Sequence, residues 1–254
     1  MKVFRKRIIP VLLLRHRGLY KTVHFKDPKY VGDPINTVKI FNEKEVDELI
    51  FLDITATRER REPDYELIHQ IATECFMPVC YGGGIRTLEQ IRRIISLGVE
   101  KVAINSRAIE QISFVDEASR EFASSTIVVS IDVKKDLFGR YRVYGASGSK
   151  KTDLKLESYV SLIEEHGAGE ILLNSIDRDG AMNGYDLALI EVISKRVSLP
   201  VIACGGAGNV EDLRLALDHG ASSVAAGSLF VFRGKHRAVL VNYPSPPIIE
   251  ALNG

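Results

Sequence analysis

The chain has 254 residues, 45% of them hydrophobic, which is enough for one α/β domain with a substantial core. Its 34 basic and 33 acidic residues give a formal net charge of +1, so nothing predicts nucleic acid or an acidic membrane as a partner. The three cysteines, Cys75, Cys80 and Cys204, cannot all pair and lack metal-ligand spacing. We therefore expect a reduced cytoplasmic protein without a metal or another cofactor.

The first segment, MKVFRKRIIPVLLL, places an apolar run after basic residues, as a signal peptide does. The run is short, lacks a small-residue cleavage site and leads directly into the fold. We interpret it as the first strand, from Arg7 to Leu13. No other stretch is long enough to cross a bilayer.

The next segment, RHRGLYKTVHFKDPKYVGDP, is predicted to be a long loop, and loops of this length are usually functional or mobile. Within it, Lys21 is a candidate phosphate ligand, although a solvated basic loop is the alternative. His16 and His24 are interpreted as solvated loop residues. Asp33 and Pro34 then predict a helix start, as a capping residue and a first-turn residue.

Three later strands carry polar side chains to their carboxyl ends. ELIFLDITA ends in Asp53 and STIVVSIDV ends in Asp132, while GEILLNSIDRDG carries Asn174, Asp179 and Gly180 into its following loop. Carboxylates are rarely buried without a task or a partner. We therefore predict that Asp53 is functional and that Asp132 is a second carboxylate at the same rim.

An internal repeat determines the architecture. Residues 78–106 align with residues 200–228 without a gap, at an offset of 122 residues. Each half alternates apolar strands with helical stretches, the pattern of a parallel sheet built from βα units. Eight units predict a single (β/α)8 TIM barrel made of half-barrels at about 1–122 and 123–240, with an open doubly wound sheet as the alternative. The predicted strands begin near Arg7, Glu48, Val79, Lys101, Thr126, Glu170, Val201 and Ser223.

Small residues end the repeated strands at two equivalent places. Glycine lets the backbone approach a ligand, and the N–H groups at a following helix start favour an anion. The repeat therefore predicts two phosphate sites on opposite sides of the barrel, and a phosphorylated small molecule with a phosphate at each end. The first glycine site consists of Gly83, Gly84, Asn105 and Ser106, and the second of Gly205, Gly206, Gly227 and Ser228.

Several motifs resemble those of the HisF family, the cyclase subunit of imidazole glycerol phosphate synthase. They are KRII, FLDITA, GGGI, KVAIN, IDVK, GAGEILLNSIDRDG, GYD and CGGAG, and they cover nearly the whole chain. The resemblance implies a glutaminase partner (HisH-like) at the amino-terminal face of the barrel. Ammonia released there passes through the barrel and reacts with a ribulosyl-aminoimidazole-carboxamide substrate that carries two phosphates.

The resemblance also assigns roles to positions of this chain. It implies substrate or phosphate contacts at both glycine sites, at the mobile-loop Lys21, and at the rim residues Asp53, Asn174, Asp179 and Gly180. It further implies a salt-bridge gate for ammonia at the barrel entrance. The gate residues are Arg7, Glu48, Lys101 and Glu170, a ring of mixed charge whose alternative role is merely to terminate a core layer.

The catalytic pair departs from the family pattern. The family uses one aspartate at the end of strand one and another at the end of strand five, and Asp132 matches the second. Aligning the two strands at an offset of 119 residues puts Leu13 at the first. Leucine cannot transfer a proton, and one acid–base group contributes about 100- to 10,000-fold, so we expect cyclisation to be slow or absent.

A retained gate and retained phosphate sites without the full acid–base pair favour a barrel that conveys ammonia. The resemblance extends to paralogues that act with a glutaminase and a third, ATP-dependent amidotransferase to convert an acetamido sugar of a surface polysaccharide (O-antigen) into an acetamidino sugar. Two alternatives remain: an active cyclase of histidine biosynthesis, and a non-catalytic activator of the glutaminase. The two-half-barrel isomerase that acts one step earlier fits FLDITA, SIDRDG and the charged ring less well.

Overall fold

The computed structural model describes residues 6–234 and 236–253. Its strands are β1 (Ile8–Arg15), β2 (Gly18–Val23), β3 (Lys26–Gly32), β4 (Leu49–Asp53), β5 (Val79–Gly82), β6 (Lys101–Ile104), β7 (Ile127–Lys135), β8 (Tyr141–Gly145), β9 (Lys150–Lys151), β10 (Glu170–Ser175), β11 (Val201–Cys204), β12 (Ser223–Ala226), β13 (Phe232–Arg233) and β14 (Ala238–Val239).

The helices alternate with these strands. They are α1 (Pro34–Glu43), α2 (Ala56–Glu59), α3 (Tyr65–Glu74), α4 (Leu88–Ser96), α5 (Ser106–Glu110), α6 (Ser113–Phe122), α7 (Leu156–Glu165), α8 (Leu187–Ser194), α9 (Val210–Asp218), α10 (Ser228–Val231) and α11 (Pro246–Asn253), with a 3₁₀ turn at Ser124–Thr126. None of the helices in the described part of the chain is long and apolar enough to span a membrane.

Eight parallel strands close into a barrel in the order β1, β4, β5, β6, β7, β10, β11, β12. Closure is complete because β10 pairs in parallel with both β11 and β7, which joins the two ends of the path of strands. The predicted (β/α)8 barrel is therefore confirmed, and an open doubly wound sheet is excluded. Parallel barrels carry their binding loops at the carboxyl ends of the strands.

Strand register relates β1 to β7. Val11 of β1 pairs with Ile50 of β4, and Ser130 of β7 pairs with Leu172 of β10. Ser130 lies 119 residues after Val11, and Leu172 lies 122 residues after Ile50. The same offsets place Leu13, the partner of Leu52, at the position that Asp132 holds as the partner of Asn174. The strand pairing thus agrees with the sequence alignment: Leu13 in the first half occupies the position equivalent to Asp132 in the second half.

Equivalent helices begin with equivalent caps. The Thr87 side chain accepts a hydrogen bond from the Gln90 amide at the start of α4, and Asn209 does the same for Asp212 at the start of α9. In turn, the Gln90 and Asp212 side chains accept a hydrogen bond from the backbone amide of their capping residue. Such a capping box fixes where the helix begins. These caps set the turns that follow β5 and β11, which contain the two glycine pairs.

The barrel interior is a separate apolar cluster within the ring of strands. Helices pack against the outer faces of the strands in the larger core. The interior cluster is made mainly of small and branched side chains, which fill the narrow barrel. Its members are Ile9, Val11, Ile50, Cys80, Ala103, Val128, Leu172, Ile202, Cys204 and Ala225, with Leu13 and Leu52 partly buried against it.

The long loop predicted after the first strand is instead a β-hairpin. Strand β1 continues to Arg15, β2 folds back on β1 as an antiparallel strand, and β3 pairs antiparallel with β2. His24 and Phe25 form the turn with positive φ angles of 52° and 61°. A second hairpin occurs at the equivalent place, because β7 continues past Asp132 to Lys135 and pairs with β8.

Candidate functional site

A pocket of about 160 Å³ opens at the carboxyl ends of the barrel strands. Residues from both glycine sites line it, together with Leu13, Lys21, Asp53, Asp132, Asn174, Asp179 and Gly180. The structure thus brings together all the substrate-binding residues predicted from the sequence, from both halves of the barrel. Their binding roles remain predictions.

Asp132 lies deep in this pocket and is only 7% exposed. The Asn105 side-chain amide donates a long hydrogen bond of 3.4 Å to the Asp132 carboxylate. Burial raises the pKa of the Asp132 carboxyl to about 7, and the charge of Asp179 acts in the same direction. A carboxyl with this pKa is suited to exchanging protons near neutral pH.

Leu13 also lines the pocket and is half-buried. It provides a methyl-bearing side chain at the position equivalent to Asp132. The carboxylates that line the pocket are Asp132 and Asp179 on the second half, and Asp53 and the exposed Glu110 on the first. The two half-barrels therefore differ at this equivalent position, where the second half has a carboxylate and the first half has an apolar side chain.

Lys21 projects from the hairpin into the pocket and is 6% exposed. Its ammonium donates a hydrogen bond to the Val11 carbonyl at 2.5 Å and lies so near Gly227 that a β-carbon there would collide with it. Burial lowers the pKa of Lys21 to about 8, although the charge of Asp179 opposes this shift. The hairpin therefore places a cation at the second glycine site.

Asp179 connects the hairpin to the second half of the barrel. Its carboxylate accepts a hydrogen bond from the Thr22 hydroxyl at 3.2 Å, and its carbonyl accepts one from the His24 amide at 2.9 Å. Burial raises the pKa of the Asp179 carboxyl, with Lys21 acting in the opposite direction. Gly180, with φ of 69°, lies against the Thr22 carbonyl and leaves no room for a side chain.

Asn174 lies between Asp132 and the second glycine site. Its Oδ1 is buried and has no hydrogen-bond donor among the described residues. Gly205, at φ of 89°, allows this close packing because a β-carbon there would lie 2.6 Å from that oxygen. The unpaired acceptor marks a place where a ligand or water would donate a hydrogen bond.

Asp53 is engaged by the protein itself. The Arg61 guanidinium donates to both carboxylate oxygens at 2.8 and 2.6 Å, and the amides of Thr55 and Ala56 donate to Oδ1 at 3.0 Å each. The carboxylate therefore holds the loop after β4 in place. Arg61 is a residue that the sequence reasoning missed, because its eight-residue separation from Asp53 matches no local pairing pattern.

The first glycine site is shaped by its neighbours. Gly83, at φ of 119°, abuts the backbone of Asp53, and a β-carbon there would lie 2.5 Å from the Asp53 carbonyl. The Gly84 amide donates to the Thr57 hydroxyl at 3.3 Å. Ser106 accepts a hydrogen bond from the Ala146 amide at 3.1 Å, which links the site to the hairpin after β7.

Three arginines that the sequence reasoning did not single out also line the pocket. They are Arg58 after β4, Arg86 after β5 and Arg107 after β6. They follow the ends of their strands by five, four and three residues respectively, so no shared spacing marks them in the sequence. All three belong to the half of the barrel that holds the first glycine site.

The opposite end of the barrel is closed by a ring of four charged side chains, the entrance ring. Arg7 donates to Glu48 at 2.5 Å and to Glu170 at 2.8 Å. Lys101 donates to the same two carboxylates at 3.0 and 3.2 Å. Each cation therefore bridges both anions. The structure brings together the four residues predicted as a gate, while their gating role remains a prediction.

The entrance ring and the pocket are separated by apolar side chains of the interior cluster. Cys80 lies next to the ring, since all four ring charges act on its thiol, and burial raises its pKa well above the ordinary value. Cys204 lies at the pocket end, where burial raises its thiol pKa to about 12. Both thiols are therefore neutral, and the interior cluster between the ring and the pocket contains no ionised side chain among the described residues.

Comparison with known proteins identifies the family. A family model described as Histidine biosynthesis protein matches residues 7–237. The Alkaliphilus metalliredigens protein named imidazole glycerol phosphate synthase subunit HisF is 44% identical over 226 residues, covering 89% of this chain and 90% of the relative. The chain belongs to the HisF family.

Other HisF-family relatives are more similar still. A Pseudomonas aeruginosa protein, provisionally named imidazole glycerol phosphate synthase subunit hisF2, is 56% identical over 241 residues, which cover 94% of this chain and 96% of the relative. A Vibrio vulnificus protein, provisionally named subunit hisF3, is 51% identical over 247 residues, covering 96% and 95%. The resemblance stated from the motifs is therefore confirmed.

Proposed function

We propose that this HisF-family chain is the synthase subunit of a glutamine amidotransferase complex and conveys ammonia without cyclising a ribulosyl substrate. The observation that carries the proposal is the register that places Leu13 opposite the position of Asp132. Cyclisation in this family needs proton transfer from both strand ends, and a leucine supplies none.

Three carboxylates near Leu13 are poor substitutes for the missing group. Asp53 is bound by Arg61 and by two backbone amides, so its lone pairs are engaged. Asp179 accepts from Thr22 and faces Lys21 in the second half of the barrel. Asp132 itself is the remaining member of the pair. The pocket retains one proton-exchanging carboxyl where the reaction needs two.

The path through the barrel suits neutral ammonia. Small apolar side chains and neutral thiols lie between the entrance ring and the pocket. An ion entering this space would lose its hydration without gaining a partner, whereas ammonia carries no net charge. On this proposal the entrance ring is the gate of the path, and the two cations that each bridge both carboxylates hold it shut. Its opening would accompany binding of a glutaminase subunit at this amino-terminal face.

The acceptor of the ammonia is proposed to be an acetamido sugar of a surface polysaccharide, converted to an acetamidino sugar by a third, ATP-dependent amidotransferase. Two relatives over 50% identical carry the separate designations hisF2 and hisF3, which is consistent with paralogues beside a histidine-pathway subunit. On this proposal the barrel receives ammonia from the glutaminase and passes it on.

Two assays separate this proposal from its alternatives. Turnover of the ribulosyl substrate with saturating ammonium would assign the chain to histidine biosynthesis. Glutamine-dependent amidination by the three-protein complex, compared with the same complex lacking this chain, tests ammonia transfer. If the chain stimulates glutamine hydrolysis but amidination uses free ammonium equally well without it, the chain is a non-catalytic activator.

A further inference from the structure

The two glycine sites differ sharply in the charge around them. Arg58, Arg86 and Arg107 line the pocket next to the first site. At the 122-residue offset that relates the halves, the corresponding residues are Gly180, Gly208 and Leu229. The internal repeat therefore provides its own reference: three arginines line the pocket beside the first site, whereas Arg178, which packs against Gly206, donates to the Asn183 carbonyl and does not line the pocket.

None of these three arginines forms an ion pair with a residue in the described ranges, 6–234 and 236–253. The Arg86 guanidinium donates to the Thr57 carbonyl at 3.4 Å and to no other acceptor in the described part of the chain. Arg107 donates to Gln111 at 2.7 Å and stacks over Phe114, while its Nε is buried without an acceptor among the described residues. These groups retain unused donors and uncompensated charge.

The carboxylates around the first site offset little of this charge. Asp53 and Glu59 are both paired with Arg61. Glu110, exposed at the pocket edge, is the other carboxylate on this side. Among the described residues that line the pocket, by contrast, Lys21 is the one cation at the second site; it faces Asp179, and Asp132 lies in the same pocket. The excess positive charge therefore belongs to the first site alone.

A single phosphate does not account for this excess. A phosphate monoester carries about −1.5 to −2 charges at neutral pH. Backbone amides at a glycine turn with one cation suit such a group, which is what the second site provides. Three guanidinium forks offer further bidentate positions for phosphate oxygens, and the three arginines follow three successive barrel strands.

We propose that the first glycine site binds a diphosphate group, held by Arg58, Arg86 and Arg107, while the second site takes at most a single phosphate. This inference shares one premise with the proposed function, namely that the pocket still binds anions at its glycine sites. The ligand class is a diphosphate ester or free diphosphate, and it is a different ligand from one carrying a monophosphate at each end.

The test is calorimetric titration of the full-length chain with inorganic pyrophosphate, ADP and inorganic phosphate at one fixed ionic strength. Pyrophosphate should bind at least about tenfold more tightly than phosphate, because it engages additional charge-assisted hydrogen bonds. The Arg86→Ala/Arg107→Ala double variant should lose at least about tenfold in pyrophosphate affinity. Arg93→Ala/Arg196→Ala removes the same charge from outside the pocket and should leave that affinity unchanged.

Further variants guard against misfolding and locate the site. Arg86→Lys keeps the charge but not the fork, so it should lose part of the affinity while preserving the melting temperature. Lys29→Met removes a lysine outside the pocket and should leave pyrophosphate affinity unchanged. ADP binding as tightly as pyrophosphate supports the proposal with a plain diphosphate as the ligand, and tighter, arginine-dependent ADP binding supports it with a nucleoside diphosphate.

Equal affinity for phosphate and pyrophosphate, or an arginine double variant that binds pyrophosphate as the natural chain does, would overturn the inference. So would binding of ADP without binding of pyrophosphate, because recognition would then lie outside the diphosphate. The titrations need neither a glutaminase nor turnover. Their failure would leave the ammonia-conveying function standing, and cyclase activity of the natural chain would remove that function without affecting the diphosphate result.

Discussion

The Lys21 ammonium lies against Gly227, in the space that any β-carbon at this position would need. The contact joins the hairpin after the first barrel strand to the turn after the last one. Lys21 is only 6% exposed, and its ammonium can occupy this position because Gly227 has no side chain. A hairpin strand thus supplies the cation of the second glycine site.

Replacing this lysine should weaken anion binding. We expect Lys21→Met to lower the affinity for inorganic phosphate by about tenfold, since one charge-assisted contact is lost. The natural chain should also bind phosphate less tightly as the pH rises through about 8, where Lys21 loses its proton. Calorimetry between pH 6.5 and 9 measures both effects.

Lys29→Met is the matched control, because Lys29 lies on the same hairpin but extends outward over Phe232. It should bind phosphate as the natural chain does and show the same pH dependence. Equal losses in the two variants would mean that the hairpin acts through its overall charge, and Lys21 would have no specific role.

Asp132 should make the fold less stable as the pH rises from 5 to 7.5. Its folded-state pKa of about 7 lies above the ordinary value of 3.8, so between these values the folded chain holds a proton that the unfolded chain has released. The free energy of unfolding then falls by at most about 1.4 kcal/mol per pH unit and levels off above pH 7. Lys21 stays protonated in both states over most of this window.

Asp132→Asn removes this linkage. Relative to the natural chain, the variant should gain about 1–3 kcal/mol in free energy of unfolding between pH 5 and 7.5. Denaturant titrations at the two pH values give the difference directly. Asp218→Asn on the outer face of α9 should show no such gain. A constant difference for Asp132→Asn would mean that Asp132 is ionised in the folded chain at pH 5.

The entrance ring should be important for stability as well as for passage. Glu48 is 2% exposed and accepts from both Arg7 and Lys101, so Glu48→Ala leaves two partly buried cations with a single anion. Removing one partner of a buried ion pair costs about 3–5 kcal/mol. We expect a loss in free energy of unfolding near the lower end, measured by denaturant titration. Glu211→Ala, in an exposed pair with Arg214, should change stability little.

Lys101→Ala tests passage through the ring. It opens one side of the ring while Arg7 still bridges Glu48 and Glu170. In a complex with the glutaminase, glutamine hydrolysis should become uncoupled from product formation, so that more glutamine is hydrolysed per product. Lys195→Ala, on the exposed end of α8, is the control. Unchanged coupling in Lys101→Ala would remove the gate from the account.

The sequence predicts the barrel well, because strand starts, glycine turns and helix caps are encoded locally and occur twice. The hairpin was missed, since its turn uses His24 and Phe25 at positive φ and neither residue signals a turn. The burial of Lys21 depends on packing against Gly227, 206 residues away in the chain, and no local pattern contains that contact.

The candidate site was predictable where polar residues end apolar strands, as at Asp132 and Asn174. It was not predictable where one side chain neutralises another. Asp53 ends its strand just as an unpaired carboxylate would, so the sequence does not show that Arg61 pairs with it. That ion pair is visible only in the folded structure. The three arginines at the first glycine site follow different strands, so their proximity arises from barrel closure.

The most direct test of the central claim is steady-state cyclase turnover with the ribulosyl substrate and saturating ammonium, comparing the natural chain with Leu13→Asp and Leu13→Asn. We predict that the natural chain and Leu13→Asn are inactive, and that Leu13→Asp gains at least about 100-fold over them because it restores a proton-transfer group. Turnover of the natural chain at an ordinary enzymatic rate would contradict the account and assign the chain to histidine biosynthesis.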